Sequence, residues 1–314
     1  MLSYIARRVT LAIIVILTVI AAMFVMMHAV PGDAVRTALG PRASEAMVEA
    51  YRARLGLDQP VWVQILRYFG AILRGDLGQD AISGTPVLQV ILSQLPDTLY
   101  LIAGAMLVAV IPGIHLGVVS ATHRGSLFDR VTSVLSVSVM AVPSFVIAIY
   151  LLLIFSIRLG WFPAIGSGDG LADKLHRLVL PSIALGLAWI GYLARILRAS
   201  MLEVMAENHV RTARAFGISQ RRIMYDYVLR IAILPTITVL GMGIGQMISG
   251  AVFAEIVFGR PGVGKLVYDA IANRNYPIVT GTVLLTTGFF VLVSLLADLL
   301  IAFLDPRVRN VISR

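Results

Sequence analysis

The sequence has no cysteine in its 314 residues and few charged residues, which make up 14% of the chain. Without cysteine there is no disulfide bond, thiolate metal site or cysteine nucleophile. Five histidines are present, but no two are three or four residues apart, so no helix face carries a pair of them as metal ligands. The G-x-S-x-G and H-E-x-x-H patterns of hydrolases are also missing, which argues against an enzyme.

Apolar residues are abundant instead, at 58% of the chain with a mean hydropathy of +0.88. Soluble domains carry about 25% charged residues, so this chain is suited to lipid rather than to water. Runs of about 20 apolar residues, enough for a helix to cross roughly 30 Å of hydrocarbon, recur along the chain. They lie at about 9–30, 98–121, 132–157, 178–197, 233–254 and 281–304. None alternates like a membrane barrel strand, so the sequence predicts an all-α, polytopic membrane protein with six transmembrane helices.

The net charge of +9 lies almost entirely on one side of these predicted spans. With the connecting segments assigned to alternate sides, the side of the N-terminus has 14 cationic and 5 acidic residues, and the opposite side has 12 and 11. The positive-inside rule therefore predicts that both termini are cytoplasmic. No basic run is interleaved with stacking aromatic residues, so the charge does not indicate nucleic-acid binding.

The predicted spans divide the chain into four segments. Residues 1–30 are the N-terminus and first span, whose 22 uncharged residues exceed the usual apolar core of a cleaved signal peptide. Residues 31–97 form a long outer, periplasmic segment with two short amphipathic helices: Glu45–Leu55, capped by Ser44 and ended by Gly56, and Val61–Leu73. Residues 98–304 form the transmembrane core with the other five spans, and residues 305–314 are the cytoplasmic C-terminus.

Two features of the sequence are candidates for a binding or proton-transfer site. The run Gly259–Lys265 matches the first part of a phosphate-binding loop, but Leu266 stands where a Ser or Thr hydroxyl would contact Mg²⁺, so nucleotide binding is disfavoured. Glu255 and Asp298 lie at or within the ends of the last two spans, where carboxylates are functional candidates. They are predicted to make polar contacts within the bundle, or to relay protons if the chain is a proton-coupled secondary carrier.

Glycines at four-residue spacing occur twice in the predicted spans, as Gly113 with Gly117 and Gly241 with Gly245. This spacing lets two helices approach closely. Packing within the chain is the favoured interpretation, with a dimer seam as the alternative.

The segment 202–232, between predicted spans four and five, has a different character. A short helix is predicted over Ala206–Phe216 and ended by Gly217, and Ser219 is placed to cap a second, arginine-rich helix. The small residues of this segment allow another protein to approach closely, and its arginines supply positive charge for binding the surface of that protein. The residues concerned are Glu207, Arg211, Thr212, Ala213, Arg214, Ala215 and Gly217. A solvated basic loop that only sets topology explains the arginines but not the Ala-x-Ala-x-Gly pattern.

Short motifs also follow one another along almost the whole chain. They are Pro31–Asp33, Leu55–Pro60, Arg74–Gly78, Pro143–Phe145, Leu159–Pro163, Ser200–Val204, Val210–Ala215, Val257–Phe258, Pro261–Gly262, Asn275–Pro277 and Leu304–Arg307. In this order they resemble the landmarks of the inner-membrane permease subunits of ATP-driven importers, specifically the dipeptide, oligopeptide and nickel family.

The resemblance implies the type I ABC importer permease fold in the bacterial inner membrane, in a transport subunit that is not an enzyme and binds no cofactor. ATP and Mg²⁺ would belong to two separate ATPase subunits, with a second homologous permease and an external solute-binding protein completing the importer. In that family the Ala-x-Ala-x-Gly segment docks into a groove on the ATPase. The general family pattern Glu-Ala-Ala-x-x-x-Gly falls here on Arg211, Thr212, Ala213 and Gly217, with Arg211 in place of Glu and Phe216 in place of the usual Lys. The substrate implied is a peptide, with nickel complexes or glutathione as alternatives.

Overall fold

The computed structural model describes residues 2–29, 43–56 and 58–304 of the chain. The helices are α1 (Leu2–Ala29), α2 (Glu45–Leu55), α3 (Val61–Ile72), α4 (Val87–Thr122), α5 (Leu127–Ala141), α6 (Ser144–Leu151), α7 (Gly170–Met205), α8 (Asn208–Ala215), α9 (Gln220–Arg222), α10 (Arg230–Ala232), α11 (Leu234–Val257), α12 (Val263–Ala272) and α13 (Tyr276–Leu304). Two π-helical turns, Leu152–Arg158 and Ile223–Leu229, continue α6 and join α9 to α10. These ranges contain no β-strand, only an isolated bridge between Gln79 and Pro86, and the all-α prediction is confirmed.

Four helices within these ranges are long and apolar enough to cross a membrane: α4, α7, α11 and residues 276–297 of α13. A fifth span is present if α5 and α6 together count as one, and α1 contains a shorter apolar stretch, Val9–Met23. The number six therefore stays a prediction. At 36 residues each, α4 and α7 are about 54 Å long and extend well beyond the apolar runs from which they were predicted.

The third predicted span, residues 132–157, is a broken helix. Its two parts, Leu127–Met140 and Ser144–Arg158, meet at an angle of 99°. Pro143 disfavours helical backbone at the residue before it, and Val142 has the extended angles φ −90° and ψ 123°. The hydropathy run passes through this point without interruption, which is why a single straight span was expected there.

The described residues form two compact units, one from those within 1–98 and 261–292 and the other from those within 99–260 and 293–304. The first unit has an apolar core made by α4, α12, α13 and the loop before α4. Its fully buried side chains include Val87, Ile91, Val263 and Ile278. The assignment of residues 31–97 to an outer segment stays a prediction.

Within that first unit, α2 and α3 begin and end close to the residues that their capping signals predicted. The Ser44 side chain accepts a hydrogen bond from the Met47 amide at 3.3 Å, and Gly56 ends α2 with φ of +70°. α3 covers Val61–Ile72, one residue shorter than predicted. The landmark Pro31–Asp33 lies outside the described residues.

The landmark residue Asn275 has a structural role in the same unit. Its amide donates to the Asp80 carboxylate and its carbonyl accepts from the Ala81 amide at 3.4 Å. Partial burial raises the pKa of Asp80, but hydrogen bonds from Ser83, the Ile82 amide and Asn275 outweigh burial and hold this pKa below its ordinary value. The turn that carries Ile82 is thus fixed to the start of α13.

The polarity of α5, in the second unit, is the reverse of that in a soluble protein. Its buried residues are Asp129, Thr132 and Ser136. Large apolar side chains of the same helix are exposed, with Leu127 at 78% and Val134 at 65%. Exposed apolar faces of this extent mark surfaces that lipid or another protein covers, which agrees with a membrane location.

Close helix approach at glycine is confirmed within the second unit. A Cβ atom on Gly117 of α4 would lie 3.0 Å from the Ala194 carbonyl oxygen and from Leu197 Cβ on α7. Gly113 meets the same helix at Leu193, and Gly241 of α11 lies against Ala297 of α13. These glycines therefore serve packing within the chain.

Candidate functional site

The candidate coupling helix is α8, which occupies Asn208–Ala215 and so is shorter at both ends than predicted. Glu207 precedes it with extended angles, φ −70° and ψ 154°, and its side chain does not cap the helix. Its Oε2 atom instead lies 3.1 Å from Nδ1 of His209. Glu207 therefore sets the entry into α8 through its backbone.

The end of α8 is a left-handed glycine turn. Gly217 has φ of +72°, and its amide donates to the Arg214 carbonyl at 3.0 Å. The next amide, of Ile218, reaches back to the Ala213 carbonyl at 3.2 Å, which completes a Schellman-type ending. A Cβ on Gly217 would touch nothing within 4 Å, so the glycine is required by backbone conformation and not by space.

One face of α8 is packed into the bundle. Val210 is fully buried and Ala213 is 5% exposed, and their spacing of three positions places both on the same helix face. They belong to an apolar cluster with residues of α4, of α7 and of the segment after Gly217. The other members are Val118, Ala121, Leu197, Met201, Val204, Ile223, Met224, Val228 and Ala232. The coupling helix is therefore seated on the ends of two long helices.

The other face of α8 is exposed. It consists of Arg211, Thr212, Arg214 and Ala215 and continues into Phe216, which is 81% exposed. Ala213 was predicted to lie on the surface that a partner approaches, but its side chain faces inward. Conversely, sequence reasoning treated Phe216 only as a missing Lys, although it is the largest exposed apolar group of this segment.

Beyond Gly217 the chain forms a small polar hollow lined by Ser219, Arg221, Arg222, Tyr225 and Asp226. Ser219 stands at the predicted cap position, but its side chain makes no capping hydrogen bond. Arg222 Nε and Asp226 Oδ2 are 3.6 Å apart and both side chains are largely exposed. The predicted second helix is π-helical from Ile223 to Leu229, a conformation that propensity rules for α-helices do not anticipate.

The remaining sequence candidates are placed as follows. Gly259–Lys265 follows a helix, α11, whereas a phosphate-binding loop follows a strand. Glu255 is buried at 1% exposure, and Arg260, five residues later, is buried at 2%. Asp298 belongs to α13 by its backbone, and its side chain lies outside the described residues.

Sequence reasoning missed an ion pair close to the coupling helix, between a buried carboxylate and an arginine that is 28% exposed. Arg198 of α7 donates to Asp129 of α5 through two nitrogens, Nε to Oδ1 at 2.6 Å and Nη2 to Oδ2 at 2.8 Å. Asp129 is 3% exposed. Both residues had been counted only as charges that set topology. A lone Asp just before an apolar run was the available signal, but its partner is 69 positions away and leaves no local pattern.

Comparison with known proteins identifies the family of the chain. The family described as "Binding-protein-dependent transport system inner membrane component" matches residues 113–310, and the N-terminal module of the same kind of component matches residues 1–102. The chain belongs to this family of permeases. It is thus a multi-pass inner-membrane subunit of an ABC importer, works with an ATPase and a solute-binding protein, and has no catalytic activity of its own.

Relatives match this permease over almost its full length. The "Probable peptide ABC transporter permease protein y4tP" of Sinorhizobium fredii is 38% identical over 98% of the chain and 99% of its own length. The glutathione transport system permease protein GsiC is 35% identical over the same shares in Escherichia coli K12 and in Shigella flexneri. An inward-facing structure of the MetNI methionine ABC transporter matches 69% of this permease and 97% of that chain, with TM-score 0.59 and 14% identity. At this identity the likeness concerns the fold alone, which is that of an importer permease.

Proposed function

We propose that this permease moves peptides inward across the bacterial inner membrane and that the exposed face of α8 with Phe216 is where an ATPase docks. In this proposal the chain pairs with a second homologous permease, and two ATPase subunits bind ATP and Mg²⁺ below them. An external solute-binding protein delivers the peptide. Both termini and α8 are cytoplasmic, as the excess of positive charge on their side favours.

The observation that carries the docking proposal is the division of α8 into two faces. Val210 and Ala213 fix the helix to the bundle, while Arg211, Arg214 and Phe216 are exposed beside them. A helix seated on α4 and α7 can pass a force to them, whereas a solvated loop cannot. An exposed aromatic ring between arginines is also the composition of an interface centre.

The same face suggests the chemistry of the partner. An apolar pocket would accept the Phe216 ring, and carboxylates at its rim would pair with Arg211 and Arg214. No nucleotide is needed on this chain, because free energy reaches it through the docked ATPase. ATP binding to that partner would favour one state of the permease over the other, as alternating access requires.

Peptides are the proposed substrates because relatives aligned over 98% of the chain are named as peptide and glutathione permeases. Glutathione is itself a tripeptide, so import of glutathione is the second candidate. Nickel complexes remain a possibility at the level of the wider family only. Uptake of a labelled dipeptide, a labelled tetrapeptide, glutathione and a nickel complex by the reconstituted importer with its binding protein would separate these.

The docking proposal is tested on the importer purified from its host with its ATPase subunits bound. We expect Arg214→Glu and Phe216→Ala each to lower retention of the ATPase by about tenfold, because each removes about 1.4 kcal/mol or more of interface energy. ATP-driven uptake should fall in parallel. Insertion into the membrane should be unchanged, since both side chains are exposed.

Arg124→Glu is the matched control, since Arg124 is an exposed arginine on the same predicted side but outside the α8 segment. It should retain the ATPase normally. If Arg214→Glu and Phe216→Ala also retain the ATPase and support normal uptake, the exposed face of α8 is not the docking site.

The rival interpretation of a proton-coupled secondary carrier predicts uptake without any ATPase. Purified chain reconstituted alone under a proton gradient should then accumulate peptide, and Asp298→Asn should stop it. We expect no accumulation by the chain alone and vanadate-sensitive uptake by the complete importer. A structural membrane scaffold would instead give no uptake defect on deletion.

A further inference from the structure

The ion pair between the buried Asp129 and the partly exposed Arg198 is more than a contact between two helices. Ser120, on α4 and only 1% exposed, donates its hydroxyl to Asp129 Oδ1. The Gly125 amide, in the turn between α4 and α5, donates to Oδ2 at 2.9 Å. One carboxylate thus receives hydrogen bonds from α4, from the α4–α5 turn and, through the two nitrogens of Arg198, from α7.

Within the second unit, the ion pair lies close to the coupling helix α8. Arg198 follows Leu197 on α7, and Ser120 lies between Val118 and Ala121 on α4. Those three apolar residues belong to the cluster that buries Val210 and Ala213 of α8. The helices on which α8 is seated are therefore the same two that Asp129 joins to α5.

Stability alone gives little reason for this arrangement. A buried ion pair is usually no more stabilising than apolar side chains of similar size, because two charges must first be removed from water. Once formed, however, the pair strongly resists separation, since breaking it leaves a buried charge without its partner. Its geometry also fixes the relative orientation of the two side chains, because two nitrogens of the guanidinium face the two oxygens of the carboxylate.

We propose that Asp129 and Arg198 are positioning residues that make α5 move together with α4 and α7 when the ATPase displaces α8. α5 also packs closely on α7, where the Ser136 backbone faces Gly191, but this packing has no directional bond, whereas Asp129 bonds α5 to α4 as well as to α7. Without the pair, α8 would still dock, but α5 would shift against α4 and α7 when they move. The proposal rests on the proposed function, because it requires an ATPase that moves α8.

The test compares the complete importer with variants in lipid nanodiscs, with a labelled peptide as substrate. Asp129→Asn keeps the shape and one of the two acceptor oxygens but removes the negative charge and the second acceptor. Asp129→Asn combined with Arg198→Met removes both charges, so no buried charge is left unpaired if the single variant fails to fold. Arg195→Met is the control, since Arg195 is exposed on the same helix one turn earlier.

We expect both Asp129 variants to retain their ATPase and hydrolyse ATP, while peptide transported per ATP falls by about tenfold. Arg195→Met should transport as much peptide per ATP as the unmodified importer. If the double variant folds and transports as much peptide per ATP as the unmodified importer, the pair does not couple the helices and the proposal is wrong.

A second measurement follows the helices directly and uses the absence of cysteine from the sequence. Spin labels on Leu127→Cys of α5 and Ala199→Cys of α7, both exposed positions, report the distance between these helices. In the reference importer the distance should be the same in nucleotide-free and vanadate-trapped states, because the helices move as one body. In Asp129→Asn it should differ between the two states; equal distances in both proteins would overturn the proposal. Failure of the docking proposal would be recognised separately, by normal ATPase retention in Arg214→Glu and Phe216→Ala.

Discussion

At the scale of single residues, Ala213 and Ala215 belong to one motif but lie in different environments. Ala213 is buried at 5% exposure among the residues that hold α8, whereas Ala215 is exposed two positions later. A charged substitution therefore tests packing at the first position and docking at the second. Transport loss alone would not distinguish them.

We predict that Ala213→Asp destabilises the chain by several kcal/mol, because it places an unpaired carboxylate in an apolar cluster. Ala215→Asp should leave stability within about 0.5 kcal/mol of the reference, since surface changes rarely do more, and should weaken ATPase retention. Thermal unfolding in detergent, followed by tryptophan fluorescence, measures the first effect and co-purification the second. Equal melting temperatures for the two variants would contradict the assignment of their faces.

Gly217 requires the same care. Its left-handed backbone disfavours every other residue by about 1–2 kcal/mol, even though a side chain would meet no neighbour. Any replacement therefore loosens the end of α8 before it touches a partner. A transport defect at Gly217 is expected, but it reports the shape of the turn and not the contact surface.

At the scale of elements, the long helices α4 and α7 are held at a spacing that glycine permits. Gly117 has a carbonyl oxygen and a Cβ atom of α7 within 3.0 Å of where its own Cβ would stand. Gly288 of α13, in contrast, has nothing within 4 Å of that point. The two glycines have helical neighbours on both sides and differ chiefly in this space.

We predict opposite signs for alanine at these two positions. Gly117→Ala should destabilise the chain by about 1–3 kcal/mol, because α4 and α7 must separate to admit the methyl group. Gly288→Ala should be neutral or stabilising by up to about 1 kcal/mol, because alanine favours a helix and meets no obstacle. Thermal unfolding of the two variants in one detergent is the measurement, and a stability gain for Gly117→Ala would show that the helices are not in contact there.

The helices also show which structural features the sequence patterns predict and which they do not. The capping signals at Ser44 and Gly56 placed α2 correctly because they act within a few residues. The bend at Pro143 was missed because hydropathy averages over the break, although the proline itself was visible. The pair between Asp129 and Arg198 was missed because the two residues are joined only by the packing of α5 on α7. Local chemistry was therefore predictable, and contacts between distant segments were not.

At the scale of the whole molecule, the all-α architecture was predicted from the apolar runs. The family was predicted from landmarks spread along the chain, each too short to identify it alone. The burial of Ala213 and the exposure of Phe216 did not follow from them, because both depend on which side of α8 meets α4 and α7. Sidedness is likewise a sum over many residues, 14 cationic against 5 acidic on one side and 12 against 11 on the other. It is the property on which docking by a cytoplasmic ATPase depends.

The absence of cysteine makes sidedness directly measurable, because a single introduced thiol is the only one in the chain. Phe216→Cys and Ile82→Cys are suitable sites, since the native side chains are 81% and 64% exposed. In intact spheroplasts, a membrane-impermeant maleimide should label Ile82→Cys and should label Phe216→Cys only after permeabilisation and removal of the ATPase subunits that are proposed to cover it. The physical reason is that the arginine-rich connections are retained on the cytoplasmic side. Labelling of Phe216→Cys before permeabilisation would place α8 outside the cell, where no ATP-driven partner could move it.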